Sequence, residues 1–151
     1  MQGATQGGID CDIHPAVPGI RALLPHMTPL WRDMIVRRGV DELTSNAYPA
    51  AAPISARPDW RACEGPPGGT LVRLRAEALD PFGSRLAICN CLYGVQLLFG
   101  EDMAAAFASA VNDWIAAEWL DREPRLRASI VVPMQNPELA AEEIDRCAPD
   151  R

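Results

Sequence analysis

Asp12 and His14 stand two residues apart at the end of a short run, Ile9-Asp10-Cys11-Asp12-Ile13-His14-Pro15. A carboxylate oxygen beside an imidazole nitrogen is a donor set that suits zinc and similar divalent ions. The run alternates as a strand does, so Asp10, Asp12 and His14 are expected on one face and Ile9, Cys11 and Ile13 on the other. Two ligands do not complete a catalytic site, because zinc in such sites normally takes three protein ligands and keeps one position open. On spacing alone, a metal pair and a mutually satisfied buried pair both remain open.

Other residues with chemical potential are less concentrated. The five cysteines, Cys11, Cys63, Cys89, Cys91 and Cys147, are odd in number and lack paired CxxC spacing, which argues against a disulfide scaffold or a zinc knuckle. Cys89 and Cys91 share a strand face, and ordinary packing of buried thiols accounts for them. His26, between two short helical pieces, reads as a surface or helix-end residue. Fourteen basic against twenty acidic residues give a formal charge of −6, the wrong sign for a nucleic-acid surface. Apolar residues make up 48% and charged residues 23%, as in ordinary globular chains. No apolar run is long enough to cross a bilayer, and Met1 to Gly8 carry no secretory pattern, so a cytoplasmic location is expected.

The elements that must position Asp12 and His14 follow from periodicity and punctuation. Helical segments are predicted over Pro18–Leu24 and Pro29–Arg38, the second with Thr28 as N-cap, Pro29 at the first turn and Gly39 as its stop. From Val40 to Gly69, prolines and glycines interrupt every periodicity, and a long lid or insertion (about 40–69) carrying Tyr48, Arg57 and Trp60 is predicted. Leu71–Ala78 is helical in spacing. Leu86–Leu92 and Leu126–Val132 read as strands buried on both faces. Asp102–Asp121 is the clearest helix, its stripe formed by Met103, Phe107, Ala110, Val111, Trp114 and Ile115. Asn136-Pro137-Glu138 opens a last helix reaching about Cys147.

Strands alternating with helices imply right-handed βαβ units and an α/β fold with a parallel sheet. Residues 1–151 are expected to form one incomplete domain, the first three or so units of a (β/α)8 barrel, which needs about 250 residues in all. Neighbours for its open edges are expected from the remainder of the barrel or from a homo-oligomer. In barrels the reactive groups lie at the C-terminal strand ends. Here those ends are Asp12-Ile13-His14, Asn90-Cys91-Leu92-Tyr93 and Pro133-Met134-Gln135-Asn136.

Four segments together, Ile9 to Pro15, Arg57-Pro58-Asp59-Trp60-Arg61, Asn90-Cys91-Leu92-Tyr93-Gly94 and Val131 to Glu138, resemble the amidohydrolase-related family of metal-dependent TIM-barrel enzymes. The likeness is to the branch that includes aminocarboxymuconate-semialdehyde decarboxylase and the resorcylate decarboxylases, and it runs from Ile9 to Arg151. It implies that Asp12 and His14 are two ligands of a divalent metal, commonly zinc, with Asp10 a supporting acceptor deeper in the barrel. It also implies that the other ligands, with the catalytic histidine and aspartate, belong to strands five, six and eight, beyond Arg151. No catalytic residue is therefore expected within these 151 residues, and the chain alone is expected to be inactive. The implied reaction is hydrolysis or decarboxylation of a small carboxylated or cyclic organic molecule. Arg57 would pair with a substrate carboxylate, and Tyr48, Asn90 and Tyr93 would supply hydrogen bonds.

A different class of reading is a truncated, non-catalytic relative that serves as a partner-binding module or pseudoenzyme subunit. A small nucleotide-binding domain is disfavoured, since neither later strand is followed by a glycine-rich phosphate loop.

Overall fold

The computed structural model describes residues 7–41, 43 and 69–148. Three strands, β1 (Ile9–Ile13), β2 (Leu86–Cys89) and β3 (Leu126–Ala128), form one parallel sheet in the order β1-β2-β3. Helix α1 (Pro29–Arg38) and helix α2 (Leu71–Leu74), which runs on as a π-helical turn over Arg75–Leu79, lie between the first two strands. Helix α3 (Glu101–Ile115), prolonged by a second π-helical turn over Ala116–Leu120, joins β2 to β3, and α4 (Pro137–Cys147) follows β3. The described residues thus adopt the alternating parallel α/β arrangement of part of a (β/α)8 barrel. The expected insertion, with Tyr48 and Arg57, falls almost wholly outside the described residues. No helix among the described residues is long and apolar enough to cross a membrane.

Local chemistry sets the helix limits. Gly39 ends α1 at φ 62°, in the left-handed region that favours glycine. Asn136 caps α4, its Oδ1 accepting the Leu139 N–H at 3.0 Å while Pro137 occupies the first turn. Its Nδ2 also donates to Glu101 Oε2 at the start of α3, 2.9 Å away. Asn136→Ala is expected to lower unfolding stability by about 1 kcal/mol, the usual worth of such a cap. A chemical denaturation midpoint equal to that of the parent chain would show that the cap contributes nothing. The predicted helix over Pro18–Leu24 is instead two 3-10 turns, Ile20–Ala22 and Leu24–His26, the second with Pro25 inside it.

Phe107, Val111, Trp114 and Ile115 of α3 join Ala87, Cys89 and Leu126 of the sheet in one core, together with Leu23, Ile35, Leu79 and Val95. That core covers one face of the sheet. The opposite face, made by Ile9, Leu86, Ile88 and Arg127, keeps contact with solvent, and Ile9 is 49% exposed. The strands predicted to be buried on both faces are therefore covered on one.

Both later strands are also shorter than their apolar runs. β2 ends at Cys89, its last backbone bond to β1 running from the Asn90 N–H to the Ile13 carbonyl at 2.6 Å. β3 ends at Ala128, and both backbone groups of Val131 are taken by the side chain of Asn112 on α3.

Candidate metal centre

The geometry around Asp12 begins with an irregularity in β1. Ile9 and Asp10 pair with Leu86 and Ala87, but Ile13 pairs with Cys89, so three steps along β1 match two along β2. This bulge at Cys11 and Asp12 is closed locally by Asp10, whose Oδ1 accepts the Asp12 N–H at 3.0 Å. Ala87 and Cys89 share a face of β2, which puts their partners Asp10 and Ile13 on that same face. The simple alternation that groups Asp10 with Asp12 and His14 is broken here, and the Asp12 side chain is turned out, 81% exposed. Asp10 still serves as an acceptor, but to the backbone of the bulge.

Across the bulge, Asp12 Oδ1 and His14 Nε2 meet at 3.1 Å. The other ring nitrogen, His14 Nδ1, lies 2.8 Å from the main-chain oxygen of Asn90. A carbonyl oxygen only accepts, so Nδ1 carries the proton of this contact and Nε2 is the nitrogen turned toward the carboxylate. Metal-ligating histidines are held this way, with one ring N–H donated to a carbonyl and the other nitrogen presented to the ion. The pair therefore fits a divalent cation as two of its ligands. Among the described residues no group of three or more His, Cys, Asp or Glu side chains is placed to hold one.

Asn90 is fixed on all sides. Besides its backbone bond to Ile13, its Nδ2 donates to the Cys11 carbonyl at 2.9 Å and its Oδ1 accepts from Ser129 Oγ at 2.5 Å. Tyr93 is buried, 7% exposed, with its ring stacked on Phe107 at 6.4 Å. Tyr48 and Arg57 lie outside the described residues. Burial, reinforced by the nearby Cys91 and Asp10, pushes the Cys89 thiol up to about 12. Burial likewise raises Cys91 to about 11, against a smaller opposing effect of the Tyr93 backbone. Both stay protonated at neutral pH, as packed thiols do.

Sequence reading passed over Ser129 and the bulge. Ser129 is the first hydroxyl after the β3 apolar run, at the level of Asn90 in the next strand, and that register was the available signal. For the bulge the signal was Asp10 itself, since a short carboxylate bonds readily to backbone two residues on.

The sequence model of a family described as Amidohydrolase matches residues 9–151. No curated protein matches the chain.

Proposed function

Because the chain belongs to the amidohydrolase family, we propose that its three βα units are the first of a metal-dependent (β/α)8 enzyme, of the branch that includes aminocarboxymuconate-semialdehyde decarboxylase. In this reading Asp12 and His14 contribute two ligands to a divalent ion, zinc by preference. The observation that supports it is the convergence of Asp12 Oδ1 and His14 Nε2 at 3.1 Å with Nδ1 held by a backbone carbonyl. A bound divalent ion supplies polarisation of a substrate oxygen or a water made acidic enough to attack. The proton-handling histidine and aspartate, and the remaining ligands, come from strands after β3.

The substrate is a small carboxylated or cyclic organic molecule, consumed by hydrolysis or decarboxylation. Arg57 meets its carboxylate through a two-pronged hydrogen bond, with Tyr48, Asn90 and Tyr93 supplying further hydrogen bonds. The open face and edges of the sheet are covered by later strands or by a second copy of the chain. A partner-binding relative without chemistry draws on the same half-covered sheet, and it differs in requiring nothing of His14.

Zinc titration against a chromophoric chelator separates the two. His14→Ala and Asp12→Asn are each expected to weaken zinc binding by the 151-residue chain at least about tenfold while leaving its far-ultraviolet circular dichroism unchanged. Equal affinity in the parent and both variants would overturn the metal reading.

A further inference from the structure

His14 Nδ1 is bonded to the Asn90 carbonyl, so the placement of that peptide oxygen bears on what the imidazole offers through Nε2. Asn90 lies just past the last ladder residue of β2. Its N–H makes the last backbone bond to β1, and two side-chain bonds extend the tie beyond the ladder. The Asn90 N–H donates to Ile13, its Nδ2 to Cys11, and its Oδ1 accepts from Ser129 Oγ. The first two reach the strand that carries Asp12 and His14. The third reaches the neighbouring chain segment, where Ser129 is itself anchored by its N–H on the Cys89 carbonyl at 2.9 Å.

The bulge is part of the same construction. It falls at Cys11 and Asp12, and the Cys11 carbonyl is met by the Asn90 side chain. Asparagine is specifically suited to this place because its planar amide offers a donor to β1 and an acceptor to Ser129 at once. Aspartate would set an oxygen against the Cys11 carbonyl, and leucine would fill the volume with neither bond.

We propose that Asn90 and Ser129 are a positioning pair for His14. Tied across all three strand ends, they hold the Asn90 carbonyl so that the imidazole keeps its proton on Nδ1 and turns Nε2 toward Asp12. Neither side chain touches the ion in this role. The inference rests on the metal reading for its purpose, but its geometric content concerns the imidazole alone.

The test uses the 151-residue chain and zinc as the probe. The chain has two histidines, and His26→Gln makes the His14 signals unambiguous. Long-range proton–nitrogen spectra of the metal-free protein are expected to show His14 protonated on Nδ1. In Ser129→Ala and Asn90→Ala the tautomers are expected to mix, and zinc affinity to fall about 10–100-fold. Ser129→Thr, which keeps the hydroxyl, is expected to restore both. A shift of tautomer and affinity with threonine rescue supports the pair.

An unchanged tautomer in Ser129→Ala and Asn90→Ala overturns it, even where His14→Ala confirms the metal site. An unchanged zinc affinity in His14→Ala overturns the metal reading instead, and the tautomer spectra still decide the positioning. If Asn90→Ala fails to fold, the alanine and threonine variants of Ser129 carry the decision.

Discussion

Asn112→Leu is expected to lower unfolding stability by about 2–5 kcal/mol, an amount comparable to emptying part of the core. Asn112 is 8% exposed on the buried side of α3, between Ala108 and Ile115. Its Oδ1 accepts the Val131 N–H at 2.9 Å, and its Nδ2 donates to the Val131 carbonyl at 2.8 Å and to Glu143 Oε1 at 2.7 Å. Leucine has the same branched heavy-atom skeleton and none of these groups. Each buried partner left without its bond costs about 1–3 kcal/mol. Glu143 limits the total, because Arg146 Nε and one terminal guanidinium nitrogen still donate to it at 2.9 and 2.7 Å. Burial pushes the Glu143 carboxyl up, but hydrogen bonds from Arg146, Asn112 and Cys147 outweigh it and hold the group below its ordinary value. It is thus a buried charge that needs its donors. Urea denaturation reads the effect as a lowered midpoint at constant slope. A loss under about 0.5 kcal/mol, the range of ordinary surface changes, would mean that water replaces Asn112 at Val131.

Asn112 also marks where reading from sequence stops. The stripe of α3 was legible because Phe107, Val111, Trp114 and Ile115 recur at the helical period, and all are buried. An asparagine beside that stripe carries no local sign of its partner, since Val131 is reached only when β3 is docked. The same holds at the other strand ends. Leu86–Leu92 and Leu126–Val132 are mostly apolar, yet the ladder ends inside each, and beyond it the side chains of Asn90 and Asn112 bond to the backbone of neighbouring segments. Thr28-Pro29, Gly39 and Asn136-Pro137 marked helix limits correctly because caps act within a few residues of the chain. Spacing alone put Asp12 near His14, and the 3.1 Å contact agrees. The bulge between them has only Asp10 as a local sign, because register is a relation between β1 and β2 and belongs to neither strand alone.

At the N-terminal end of the sheet, remote from Asp12 and His14, Glu123 is expected to make stability fall with acid by about 3 kcal/mol. The residue is 4% exposed and gathers two guanidinium groups. Its Oε1 accepts from Arg125 Nε at 2.8 Å, and its Oε2 from Arg75 Nε at 2.7 Å and from Arg125 again at 3.0 Å. Arg125 passes the link on to Asp80 at 2.9 Å, and its carbonyl accepts the Ala87 N–H. The cluster therefore locks the turn after α2 and the turn before β3 to the start of β2. Hydrogen bonds from Arg125 hold the carboxyl down to about 2, against a smaller upward push from burial and with further help from Arg75. The folded value lies below the ordinary 4.5. The carboxylate's contribution is accordingly complete above about pH 4.5 and is lost as pH falls from there toward 2. Glu123→Gln keeps the shape and removes the charge, so it is expected to cost about 2–3 kcal/mol at pH 7 and progressively less below pH 4. Denaturation midpoints of parent and variant should converge as the pH approaches 2. A gap that stays constant down to pH 2 would mean that the side chain acts through its shape and neutral hydrogen bonds, and that the two arginines do not depend on its charge.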